Sequence, residues 1–350
     1  MKIYKIIILF FSLFIFSGCA VQFQGTSTND EGGVFKSINS GDSWVNSSLV
    51  PTISGKPQSI ARLNVNFLAL DPSDPKAMYF GSTDSGLFYT YTSTTAWLFS
   101  SGMGNATPNA LAIDSKAKCS LFSSINNNLY KSSDCTRNWS PIYHDDNAKA
   151  VINSIIISSY NSNNVYVGTS NGNLIASDDA GASWRLLNHF DASIERIIPS
   201  PQDSRIMLAL IKGKGLYKTI DSGKNWIDLN EKLKSLNKTL DIRDVVLSQK
   251  TPGLIIVAIK GSLYRSDNYG DTWLKTNLLT SDESATINSV ALGNQNTDLI
   301  YYTTNTTFYR SEDGGVKWSA KKLPTSRAGW RLIINPEDDK IIYLGVRSIK

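Results

Sequence analysis

The chain has 350 residues, 41% of them hydrophobic and only 19% charged, with a formal net charge of +5. That apolar share is enough for a sizeable core. The weak positive balance, which falls further once Lys2 and Lys5 leave with a leader, excludes a nucleic-acid-binding protein. His144 and His189, the two histidines, have no cysteine or acidic cluster at ligand spacing, so neither a metal nor a cofactor is expected.

The first element is a leader. Lys2 and Lys5 precede an apolar run from Ile6 to Phe16, broken only by Ser12. The run is shorter than the roughly 20 residues that span a bilayer, which makes it a signal-peptide core and not a membrane helix. It ends in Phe16-Ser17-Gly18-Cys19, which resembles the bacterial lipobox, with phenylalanine where leucine is commonest. The resemblance implies cleavage before Cys19, diacylglycerol on its thiol and acylation of the new amino terminus. Several acyl chains on one residue give a firm membrane anchor. With Ala20 following Cys19, the resemblance implies the outer membrane in a two-membrane cell. Ordinary secretion, with Cys19 an incidental neighbour, is the other reading. Residues 1–18 are therefore expected to be a lipoprotein signal peptide, 19–32 a flexible Gln-, Thr-, Asn- and Gly-rich tether, and 33–350 the body.

The body repeats itself. Seven of its tryptophans, Trp44, Trp97, Trp139, Trp184, Trp226, Trp273 and Trp318, recur at intervals of 53, 42, 45, 42, 47 and 45 residues. Each closes an eight-residue motif. Three copies are full: Ser177 to Trp184 with Asp179 and Gly181, Thr219 to Trp226 with Asp221 and Gly223, and Ser311 to Trp318 with Asp313 and Gly315. Two carry asparagine for the acid, Asn39 before Trp44 and Asn268 before Gly270 and Trp273. The copy ending at Trp139 keeps Asp134 but has Thr136 where glycine is expected, and the copy ending at Trp97 is eroded to Thr92 and Thr94. The acid or amide suits an Asx-turn to backbone N–H groups two or three residues on. The glycine supplies the positive φ of a tight hairpin, and the tryptophan packs between sheets. A turn role explains these acids at every repeat, so no catalytic or metal-binding role is assigned to them.

Around each motif lie four short strands. Asn66-Phe-Leu-Ala-Leu, Ala77-Met-Tyr-Phe and Gly86-Leu-Phe-Tyr-Thr are the first three of one repeat. Between two repeats, Glu231 to Leu240 has helical character, with Leu233, Leu236 and Leu240 on one face. The last segment, Trp330 to Val346, is only half a repeat, and the missing half stands at the other end as Gly33 to Trp44. The two ends are therefore expected to share a blade and close a ring.

The motif resembles the Asp box, or BNR repeat, of sialidases, the sortilin luminal propeller, tandem-propeller xyloglucan hydrolases and photosystem II assembly-factor propellers. The resemblance covers the chain from about residue 33 and implies an all-β, seven-bladed propeller. It says little about function, because these families share the motif and not the chemistry. The chain has no G-x-S-x-G, P-loop or dinucleotide fingerprint. A sialidase would need an Arg-Ile-Pro element, where this chain has Arg196-Ile-Ile-Pro199.

Arg196, Arg243 and Arg331 stand near the start of first strands, and Arg62 somewhat before another. They fit a positive channel mouth for a carboxylate, an acidic peptide or an anionic glycan. The bland reading is solvated rim charges beside Glu195 and Asp244. A second basic group, Lys321, Lys322 and Arg327, reads as an ordinary loop. Cys119 and Cys135 flank a turn expected at Asn126 to Asn128; a three-residue loop there sets them opposite one another, within disulfide reach if the register holds. The expectation is a monomeric, membrane-anchored, non-catalytic binding or assembly module that presents a ring face to a protein or glycan. The alternative is a sialidase-like or xyloglucanase-like glycoside hydrolase.

Overall fold

The computed structural model describes residues 30–236, 240–279 and 285–349, so the leader, Cys19 and the tether through residue 29 lie outside it. Seven four-stranded antiparallel sheets form the blades of a ring. Blade one is shared: Ala328–Ile334 and Ile342–Arg347 from the C-terminal end pair with Val34–Ser37 and Val45–Asn46 from the other. Val34 lies opposite Gly345 and Ser37 opposite Ile342, which closes the ring in continuous register. Blades two to seven follow in order, with innermost strands Val65–Asp71, Ala110–Ile113, Ile152–Ile157, Ile194–Pro199, Ile242–Leu247 and Ser289–Leu292.

The second strands are apolar on both faces because blades cover both sides of them. Ile255–Ile259, Met207–Ile211 and Val165–Thr169 are buried at every position. Polar seams tie neighbouring innermost strands together. Ser154 accepts the Ile197 amide at 2.9 Å, Asp244 the Val290 amide at 2.8 Å, and Ser289 the Leu332 amide at 3.1 Å. Each motif tryptophan reaches back to the preceding blade. Trp44 meets Phe308 edge-on with centroids 5.3 Å apart, and Trp226 meets Phe190 at 5.4 Å. Such pairs add about 0.5–1.5 kcal/mol beyond their buried area.

The repeated turn spans more residues than the expected Asx-turn. Asp179 accepts the Ser183 amide, four residues on, at 2.8 Å, while Ser177 Oγ accepts the Gly181 amide at 2.8 Å. Two consecutive residues take positive φ, as at Ala180 (56°) and Gly181 (92°). At Gly41, φ is 85° and a β-carbon would run into the Phe308 ring, so the position requires glycine. Blade three manages without it: Thr136 sits at φ 71°.

Several expectations are corrected. The helix spans only Asn230–Lys234; Leu233 is buried, Leu236 is exposed, and Leu240 packs against the core from beyond the undescribed residues 237–239. Gly32 and Gly33 are fixed to the body, their amides bonding to the Ala61 and Leu63 carbonyls. The long Trp44-to-Trp97 interval holds a hairpin, Leu49–Val50 with Gln58–Ser59, whose start accepts from Trp97: Nε1 to the Ser47 carbonyl at 2.7 Å and the amide to Leu49 at 2.8 Å.

Cys119 and Cys135 are joined, with Cα atoms 4.1 Å apart. The turn between their strands, however, has two residues, with Ile125 opposite Asn128 and Leu121 opposite Ser132. That register is one residue off the expected one, and both cysteines lie past the end of the ladder at positive φ, 68° and 60°.

Candidate functional site

The innermost strands of five blades carry a one-residue irregularity near their starts, at Asn66, Asn153, Glu195, Arg243 and Trp330. Asn109 and Asn288 hold the same place just before the innermost strands of blades three and seven. A bulge re-aims its side chain, and all seven residues line one cavity of about 890 Å³ at the mouth of the central channel. The hairpin around Lys212 and Gly213 stands over the same mouth.

Beneath this upper tier lies a second, one residue further along each strand, containing Arg196, Asp244, Ser289 and Arg331. Asp244 is buried and fully engaged. It pairs with Arg196, accepts the Val245 amide at 3.0 Å and the Ser289 hydroxyl at 3.0 Å, and makes the seam bond to Val290. Arg196 also donates to the Val245 carbonyl at 2.7 Å, so the pair fastens blade five to blade six.

Arg331 differs. Its Nη1 donates to the Trp330 carbonyl at 3.1 Å, its guanidinium lies 5.2 Å from the Trp330 ring, and among the described residues no carboxylate stands within ion-pair distance. Desolvation in the channel wall lowers its pKa first; Asp244 pulls it up, and Arg196 and Arg347 push it down. Arg347, the last residue of its strand, also covers Trp330, at 4.8 Å.

The four arginines singled out in the sequence thus do not form one ring. Arg196 and Arg331 share the lower tier with Asp244. Arg243 shares the upper tier with Glu195 and Trp330 and pairs with exposed Asp241 at 2.6 Å. Arg62 is exposed outside the cavity, its carbonyl accepting from Arg327. The mouth therefore mixes both signs of charge. Arg327 fastens the ring closure: Nε pairs with Asp30 at 3.2 Å, and Nη1 reaches the Leu63 carbonyl and Asn64 Oδ1. Lys321 pairs with Asp42 across the seam between blades seven and one, and Lys322 is exposed.

Glu195, Trp330, Arg347 and the asparagines went unassigned in the sequence, although a signal exists. Asn66, Asn109, Asn153, Glu195, Arg243 and Asn288 each stand 30 or 31 residues before the next motif tryptophan.

Fold and site together define a seven-bladed β-propeller with a polar channel mouth. Among known families, the model described as "Sortilin, neurotensin receptor 3" matches residues 127–238. No curated protein matches the sequence. The structure is similar to the GH74 xyloglucanase of Xanthomonas campestris, with a TM-score of 0.65 and 13% identity over 81% of this chain. This chain spans about half of that enzyme, 51% of its length. It is also similar to YCF48 from Cyanidioschyzon merolae, with a TM-score of 0.64 and 15% identity over 85% of this chain and 98% of that one. A third similar structure is the extracellular domain of a putative one-component system from B. thetaiotaomicron, with a TM-score of 0.62 and 13% identity over 86% of this chain and 39% of that one. At these identities the likeness concerns the fold.

Proposed function

We propose that this chain is a non-catalytic binding module, exported and held at the cell envelope by lipid on Cys19, that receives part of a partner protein in its channel mouth. The observation that carries the reading is Arg331: a cation in the wall of a polar cavity, without a carboxylate in ion-pair range among the described residues. A guanidinium so placed recognises an incoming carboxylate. One similar structure is titled YCF48 bound to D1 peptide, with a TM-score of 0.62 and 15% identity over 81% of this chain and 93% of that one, which supports a peptide as the class of occupant.

The second reading, a glycoside hydrolase, is favoured by the likeness to the xyloglucanase. It needs two carboxylates free to exchange protons. Of the three acids lining the mouth, Asp244 is consumed by its seam and Arg196, and Asp241 pairs with Arg243, which leaves Glu195 as a single unpartnered carboxylate among the described residues where two are needed. The test is isolation of the acylated protein from its own membranes in mild detergent. Wild type should retain a stoichiometric partner that Arg331→Ala loses, and Cys19→Ala should leave the detergent phase. Hydrolysis of a xyloglucan or a sialoside by the purified chain would favour the enzyme instead.

A further inference from the structure

The upper tier divides by what its side chains already do. All four asparagines have their carboxamides committed to the fold. Asn66 donates to the Pro108 carbonyl at 2.9 Å, and Asn153 to the Ser193 hydroxyl and Ile194 carbonyl at 3.1 Å each, so both sew their blade to the next. Asn109 accepts the Asn126 amide at 2.7 Å, and Asn288 donates to Asn305 at 2.9 Å, so both hold a hairpin of their own blade. At the three remaining positions this work is absent. Glu195 is exposed and has neither a hydrogen-bond nor an ion-pair partner among the described residues. Arg243 turns outward to an exposed acid, and Trp330 carries two guanidiniums on its ring.

We infer that Glu195 and Arg243, on the adjoining blades five and six, and Trp330, on blade one beyond the committed Asn288 of blade seven, are the specificity-determining residues of the mouth, and that they select a polypeptide segment bearing both acidic and basic side chains. The inference rests on the binding reading above and decides its occupant. An anionic glycan satisfies Arg331 and Arg243 but brings no cation for Glu195, whose carboxylate repels it. A mixed-charge peptide satisfies both signs and offers apolar stems to Trp330.

The experiment replaces Glu195 with the residue that four other blades use at this position. Glu195→Asn should keep the wild-type melting temperature. Two probes are titrated at low ionic strength: an alternating Glu-Lys octapeptide and an oligogalacturonate. The variant should lose roughly two- to fivefold in affinity for the peptide and gain a similar factor for the oligogalacturonate, the range an exposed charge pair supports. These opposite signs cannot come from general loosening of the fold. Asn153→Ala, which removes a seam, should instead melt about 2–4 °C lower. If wild type binds neither probe, the mouth reading fails and this inference with it. If it binds but Glu195→Asn moves neither affinity, or wild type prefers the oligogalacturonate, the assignment of Glu195 fails while the mouth reading stands. Asn153→Ala melting at the wild-type temperature would overturn the division between fastening and recognising residues.

Discussion

At Asp179 and Asp221, hydrogen bonds to the charged form hold the carboxyl well below its ordinary range. The Ser183 hydroxyl and amide bring Asp179 to about 2, and the Asn225 amide and side chain do the same for Asp221. A carboxylate with a folded pKa below its unfolded value near 4 contributes stability above pH 4, and the contribution is lost as pH falls through about 2. The double variant Asp179→Asn, Asp221→Asn should therefore show a flatter melting temperature between pH 4 and pH 2 than wild type. Asn39 and Asn268 show that the turn forms with a carboxamide, each accepting the amide four residues on at 2.9 Å. Parallel acid profiles for the two proteins would contradict the assignment. The acid, glycine and tryptophan of this turn were legible because each has a side-chain reason to be there. The second positive-φ residue was not: Ser40, Ala180, Ser222 and Tyr269 share the conformation at 55–62° and no common chemistry.

Among the elements, blade three departs most from its sequence pattern. Thr136 takes the glycine position, and Cys119, Cys135 and Thr136 all sit at positive φ, where a β-carbon costs about 1–2 kcal/mol each. The bridge clamps this corner, and the Cys135 amide donates to the Cys119 carbonyl at 3.3 Å. Cys119→Ser with Cys135→Ser should cost about 2–4 kcal/mol in denaturant unfolding, and adding Thr136→Gly should restore about 1 kcal/mol. Two alkylatable thiols in freshly isolated protein, or a further loss on adding Thr136→Gly, would count against the clamp. The expected register missed by one residue because the Asn126-Asn127 pair forms a two-residue turn by itself. The helix was overextended because its three leucines suggested one apolar face, whereas the core accepts Leu233 and Leu240 from separate segments.

For the whole molecule, closure depends on strands whose paired residues stand 305 to 311 positions apart in sequence, pinned by Arg327 and by the Ser348 amide to Asn64 Oδ1 at 2.8 Å. Deleting residues from Trp330 onward uncovers Phe35, Leu68 and the edge of Val34–Ser37. The truncated chain should aggregate or melt without cooperativity, and an unchanged melting temperature would refute the shared blade. The ring and its cut were readable from the half repeats at the two ends. The mouth was not, because connections between blades vary in length, as the hairpin at Leu49–Ser59 and the helix show. Counting forward from each tryptophan therefore scatters the upper tier, while counting back from the next tryptophan aligns it. The central claim is that this molecule recognises a protein through one face. It is tested most directly by photo-crosslinking in intact cells, with a photoreactive residue replacing Lys212 over the mouth or Lys224 in the turn on the opposite face. Lys212 should give a discrete protein adduct that Arg331→Ala abolishes, with none from Lys224; an adduct from Lys224 alone, or from neither position, would contradict the account.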